Sequence, residues 1–186
     1  MIAKKLVEHC SPTLSGMKTA NLFMFNMKNV SGQRLEAAVT AWNKKLNPKG
    51  VTLKIFCKCE KRALIYVYRE TKLKAIFQNP GIREFLAGHG YREFGLEYCL
   101  ARLQKRVQEN PSFPHEIGLF LDYPLEDVEG FIKYGGKNAK YSGFWQVYGD
   151  EKEAVKLFSK YQKCREVYTR IYGNRIRSIY QLTVAA

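Results

Sequence analysis

Val51-Thr52-Leu53-Lys54-Ile55-Phe56-Cys57-Lys58 and Arg62-Ala63-Leu64-Ile65-Tyr66-Val67-Tyr68-Arg69 carry the reading of the fold. Both runs are rich in β-branched and aromatic residues, and Cys59-Glu60-Lys61 separates them as a short turn. That is the pattern of a β-hairpin. The segments around it have helical rather than alternating periodicity, and helices and strands do not follow strict βαβ order. The chain therefore reads as one α+β domain over residues 1–186, with an antiparallel or mixed sheet of about four strands and roughly six helices.

Upstream of the hairpin, Leu35, Ala38, Val39, Trp42 and Leu46 keep helical spacing, and Asn47-Pro48 ends that helix. A shorter helix is expected from Pro12 for two turns, leading into Leu22-Phe23-Met24-Phe25. Downstream, helices are expected over 80–87 and 95–108, followed by a break at Asn110-Pro111-Ser112-Phe113-Pro114. Ile117-Gly-Leu-Phe-Leu121 reads as a short buried strand. Pro124 opens a helix with Glu126 and Asp127 in its first turn, as the dipole prefers. Gly135-Gly136-Lys137-Asn138 is a loop, residues 142–148 form a strand, and the longest helix runs over 151–172. Ala154, Phe158, Tyr161, Cys164 and Tyr168 share one face of that helix.

The apolar fraction of 46% with 26% charged residues is that of an ordinary globular chain. No apolar run is long enough to span a membrane, and the first residues lack the apolar core of a secretion signal. Five cysteines without disulfide-framework spacing fit reduced thiols in a cytoplasm. Thirty-one Lys and Arg against seventeen Asp and Glu give a formal charge of +14, which favours acidic partners.

The most suggestive chemistry lies at His9-Cys10-Ser11-Pro12-Thr13. Ser11 suits an N-cap and Pro12 a first helical position, which would set Cys10 beside the positive end of a helix dipole. Such a site favours thiolate and serves a nucleophile, a redox centre or a metal ligand. A small buried cysteine in a turn is the plain alternative.

Several further segments fit one family. They are Leu14 with Gly16 and Lys18, Leu22-Phe23, Phe113-Pro-His-Glu-Ile-Gly-Leu-Phe-Leu121, Tyr123-Pro124, Asp127-Val128, Gly130-Phe131 and Trp145-Gln-Val-Tyr-Gly-Asp150. With the N-terminal thiol segment, the 62–69 strand, Phe158, Tyr161 and Lys163-Cys164, the pattern resembles a family of clostridial and related anaerobe proteins known only as a domain of unknown function. The resemblance covers nearly the whole chain and implies a single-domain bacterial protein. It brings no established activity. It also implies cysteines just ahead of the tryptophan, in the stretch 139–144, where this chain has none.

Three functional readings follow. The first centres on Cys10 as nucleophile or ligand. His115 would be base or second ligand, Glu116 or Asp150 would orient the imidazole, and His9 would assist. Lys18 and Arg62 would hold an anionic group, and Trp145 completes the ligand-binding set. The order cysteine, histidine, acid resembles papain-like folds. However, only nine residues precede Cys10 and no upstream Gln supplies an oxyanion donor, a group worth about 3 kcal/mol of barrier. The second reading is a nucleic-acid or polyanion binder without catalysis. Its site would be the stretch 160–177, where Tyr161, Tyr168 and Tyr172 interleave with Lys163, Arg165, Arg170, Arg175 and Arg177. The third is zinc, iron or haem held by His9, Cys10, His115 and Glu116 or His89, although no ligand spacing is diagnostic.

Overall fold

Pro12 lies inside the first helix rather than at its start. The computed structural model describes residues 2–109 and 113–185, and within it α1 runs over Ile2–Leu14. Ile2, Leu6, Val7, Cys10 and Leu14 form its buried stripe at helical spacing. A proline this late in a helix leaves the carbonyl four residues earlier without its N–H partner. Here that carbonyl belongs to Glu8, and the Arg165 Nε donates to it at 2.9 Å. Ser11, expected as an N-cap, instead donates its hydroxyl back to the Val7 carbonyl within the helix.

Strand β1 (Ala20–Asn26) follows, then α2 (Gly32–Leu46), a 3₁₀ turn over Asn47–Lys49, and the hairpin β2 (Val51–Lys58) and β3 (Arg62–Arg69). Ser31 caps α2 by accepting the Arg34 N–H. The sheet is antiparallel in the order β1-β3-β2. Phe23 pairs with Ile65, which pairs in turn with Ile55, so one row of side chains crosses the sheet on a single face. That face, α1 and α2 share one core that includes Leu6, Cys10, Phe23, Leu35, Leu53, Ile65 and Val67.

The chain then continues through α3 (Glu70–Ile76), α4 (Pro80–Gly88), α5 (Leu96–Glu109), α6 (Ile117–Phe120), α7 (Leu125–Tyr134), β4 (Tyr141–Ser142), β5 (Gln146–Val147), α8 (Glu151–Gly173) and α9 (Ile179–Leu182). The molecule is α+β. Among the described residues it has more helices than the sequence suggested, and its strands fall in two small sheets, of three and two strands. The run 117–121, expected as a strand, is one helical turn. Residues 142–148, also expected as a strand, contribute only to the β4–β5 hairpin. The break at Asn110-Pro111-Ser112 lies outside the described residues.

Packing divides the chain into two compact units. The first takes the residues up to Leu73 and again from Cys164, and the second takes 74–163. In the first unit the Arg69 side chain is buried, and each of its hydrogen bonds ends on a main-chain carbonyl. Its Nε donates to Thr13 at 2.6 Å and its Nη2 to Leu14 at 2.7 Å and Val184 at 2.8 Å. Its Nη1 reaches Lys49 at 3.4 Å. The guanidinium thus adds a second donor to the Thr13 and Leu14 carbonyls where α1 ends, which also accept the Gly16 and Val184 N–H groups, with the charge sign that a helix C-terminus favours. Arg69→Met removes these donors and leaves the Thr13 and Leu14 carbonyls with one main-chain partner each. It is expected to cost about 3 kcal/mol or more in urea unfolding, with Arg69→Lys recovering only part of the loss because an ammonium lacks the planar fork.

Candidate functional site

The expected pair Cys10 and His115 falls in different units. Cys10 is sealed in the core of the first, with no exposed surface, and burial pushes its thiol pKa well up against the opposing charges of Lys18 and Arg165. The dipole argument also fails, because Cys10 sits in the body of α1 rather than ahead of a helix. Its neighbour His9 lays its ring on Phe23 at 5.8 Å, and burial, then the Lys5 charge, lowers its pKa.

Other expected members are structural as well. Lys18 is buried and its Nζ donates to the Ala20 carbonyl at 2.7 Å, so it does not present a charge to a substrate. Glu116 is buried and committed to the Arg106 guanidinium, with the Tyr91 hydroxyl donating to it at 3.3 Å; it is not the partner of an imidazole. Asp150 accepts the Glu153 N–H at 3.0 Å, capping α8. Arg62 is exposed at the start of β3. Tyr161 is buried, while the Tyr168 hydroxyl donates to the Leu182 carbonyl and its ring, like that of Tyr172, packs on the first unit's core. These tyrosines are packing residues rather than an exposed stacking series. No group of three or more His, Cys, Asp or Glu side chains able to hold a metal ion occurs among the described residues.

His115 and Trp145 do come together, in a cleft of about 340 Å³ within the second unit. Its walls come from the turn into α6 (Phe113, His115) and α6 itself (Gly118), from Tyr123 and α7 (Asp127, Phe131), and from the β4–β5 hairpin (Ser142, Phe144, Trp145, Gln146). Gly118 is needed for this wall, since a Cβ there would stand 2.7 Å from the Val128 side chain. Aromatic contacts set the remaining shape. Tyr123 stacks on Trp145 with ring centres 4.6 Å apart, Phe158 meets the Trp145 edge at 4.4 Å, and Phe131 lies 5.2 Å from His115. Burial pushes the Tyr123 phenol up to about 12, so it stays neutral.

Asp127 organises this cleft. One carboxylate oxygen accepts the Trp145 indole N–H at 2.7 Å, and the other accepts the main-chain N–H groups of Tyr148 at 2.7 Å and Gly149 at 2.8 Å. Three donors satisfy both oxygens of this buried carboxylate, and it ties the hairpin back onto α7. Sequence reasoning placed Asp127 as a first-turn acid and among the segments of the family resemblance, and nothing local signals that residues 145–149 return to it. Chemically the cleft offers flat apolar walls, with the His115 imidazole, the Ser142 hydroxyl and the Gln146 amide as polar points.

This α+β chain with an aromatic cleft in its second unit matches one protein family model over residues 6–183. It belongs to the family described as Protein of unknown function (DUF3793). No curated protein and no solved structure matches it. No helix among the described residues is long and apolar enough to cross a membrane.

Two outcomes are expected at these residues. Asp127→Asn keeps the shape but turns an amide toward N–H donors. It should lower stability by about 2–3 kcal/mol and shift Trp145 emission to the red in a Trp42→Phe background. In native protein, Cys59 should alkylate first. It is exposed, and hydrogen bonds from the Lys61 and Arg62 main chain lower its pKa. Cys10 should react only at the rate of unfolding, a contrast that mass spectrometry of timed iodoacetamide labelling reads directly.

Proposed function

We propose that the chain binds a small, flat, mainly apolar molecule in the second unit's cleft, with His115 meeting a polar substituent on its rim. The observation that carries this reading is the juxtaposition of an exposed imidazole with a pocket walled by Phe113, Tyr123, Phe131, Phe144 and Trp145. Binding pockets are usually concave and apolar with few polar points, and about 340 Å³ is the size that suits one or two fused rings. Three donors fix Asp127 and hold the Trp145 ring in place, so the wall is formed before any ligand arrives. This keeps His115 and Trp145 from the sequence reading and moves the centre away from Cys10. The five unbridged cysteines support a reducing, cytoplasmic setting.

The chain carries two tryptophans, Trp42 and Trp145, so a Trp42→Phe variant reports on the cleft alone. Titration with 2-naphthol should quench Trp145 emission with saturation. His115→Ala, an exposed substitution with little effect on folding, should weaken that binding by roughly fivefold through the lost polar contact. A quench that rises linearly without saturating, or a His115→Ala protein that binds as the parent does, rules the reading out.

A further inference from the structure

Arg175-Ile176-Arg177 forms the exposed tip of the turn between α8 and α9, in the first unit. We propose that this turn, with Lys49, Tyr180 and Val184 beside it, docks the protein onto an anionic phospholipid surface.

Charge is the first ground. From Ala37 to Leu53 the chain carries Lys44, Lys45 and Lys49 and no Asp or Glu. From Val167 onward it carries Arg170, Arg175 and Arg177, again with no acidic side chain. The fold brings these two stretches together. The Lys49 ammonium lies 4.7 Å from the Tyr180 ring centre, and the carbonyls of Lys49 and Val184 both accept from Arg69. A patch whose contributing segments carry several cations and no acidic side chain attracts anionic headgroups.

Exposed apolar surface is the second ground, and it selects a membrane over a nucleic acid. Ile176 is 65% exposed, Val184 52% and Tyr180 47%. Nucleic-acid grooves present open aromatic faces, whereas Tyr161, Tyr168 and Tyr172 are used in packing and Tyr180 already carries a lysine on its ring. Aliphatic side chains flanked by arginine suit a lipid interface, where the alkyl group enters the acyl boundary and the guanidinium stays with phosphate.

The backbone keeps this tip presented. The Arg175 N–H bonds to the Tyr172 carbonyl and the Ile176 N–H to the Ile171 carbonyl, each at 3.0 Å, which is the Schellman closure of a helix. Arg175 sits at its left-handed position, with φ of 57°, where glycine is the easier residue. Such closures usually fold the following apolar side chain back onto the helix, yet Ile176 stands in solvent. The turn thus retains a cation and an exposed alkyl group at positions where folding alone favours neither.

That conflict supplies the test. Sedimentation with vesicles of phosphatidylcholine alone, and of phosphatidylcholine containing phosphatidylglycerol, measures partition of the full chain at physiological ionic strength. Binding is expected only to the anionic vesicles. Arg175→Gly should raise the thermal midpoint while weakening partition by roughly fivefold, so the loss cannot come from unfolding. Ile176→Asp should weaken it by about tenfold, and Arg175→Gln with Arg177→Gln by roughly thirtyfold. Lys105→Gln with Lys152→Gln, which removes equal charge from the second unit, should leave partition unchanged. The proposal is overturned by equal binding to both vesicles or to neither, by an Arg175→Gly protein that partitions like the parent, or by an equal loss in the second-unit pair. Tight binding to single-stranded RNA with no vesicle binding overturns it as well.

Discussion

The buried Arg69 guanidinium is the constraint on which the first unit depends. It draws together the end of α1, the 3₁₀ turn at Lys49 and the segment at Val184, three stretches far apart in sequence, through carbonyl groups alone. A buried cation is costly unless its donors are met, and here main-chain dipoles meet them. The second unit uses the opposite sign in the same way. Asp127 is a buried anion satisfied by an indole and two main-chain N–H groups. In each case one charged side chain orders a region with little regular structure of its own.

Where periodicity was long, the sequence was readable. The α2 stripe, the 51–69 hairpin and the apolar face of α8 all formed where expected, because each buries a repeated set of side chains. The first helix was misplaced because Ser11-Pro12 has the chemistry of a helix start. What allows it to end a helix is Arg165, about 150 residues away, which no local pattern announces. The run 117–121 is too short for its apolar residues to distinguish a helical turn from a strand. Strands β4 and β5 are each two residues long, below the length at which alternation carries meaning.

The site was legible in part, and depth marks the dividing line. Of the residues singled out in the sequence, His115 and Trp145 line the candidate cleft, whereas Cys10, Lys18 and Glu116 lie in the interior. A lysine or glutamate is seldom buried; Lys18 is met by the nearby Ala20 carbonyl and Glu116 by Arg106, and neither pairing is announced by residue type. Asp127 went unrecognised for the converse reason. Its position in the first turn of α7 already explained an acid, and its second role exists only once the 141–149 segment has folded back.

The interruption of the first unit by the second has a consequence for synthesis. Residues 74–163 leave the ribosome as one uninterrupted piece and can close on themselves, whereas α1 and its sheet lack Arg165 and Val184 until the last stretch emerges. During that interval the Glu8 carbonyl lacks its donor, while the apolar stripe of α1 can already pack on the sheet and α2, which are made before the unit is complete.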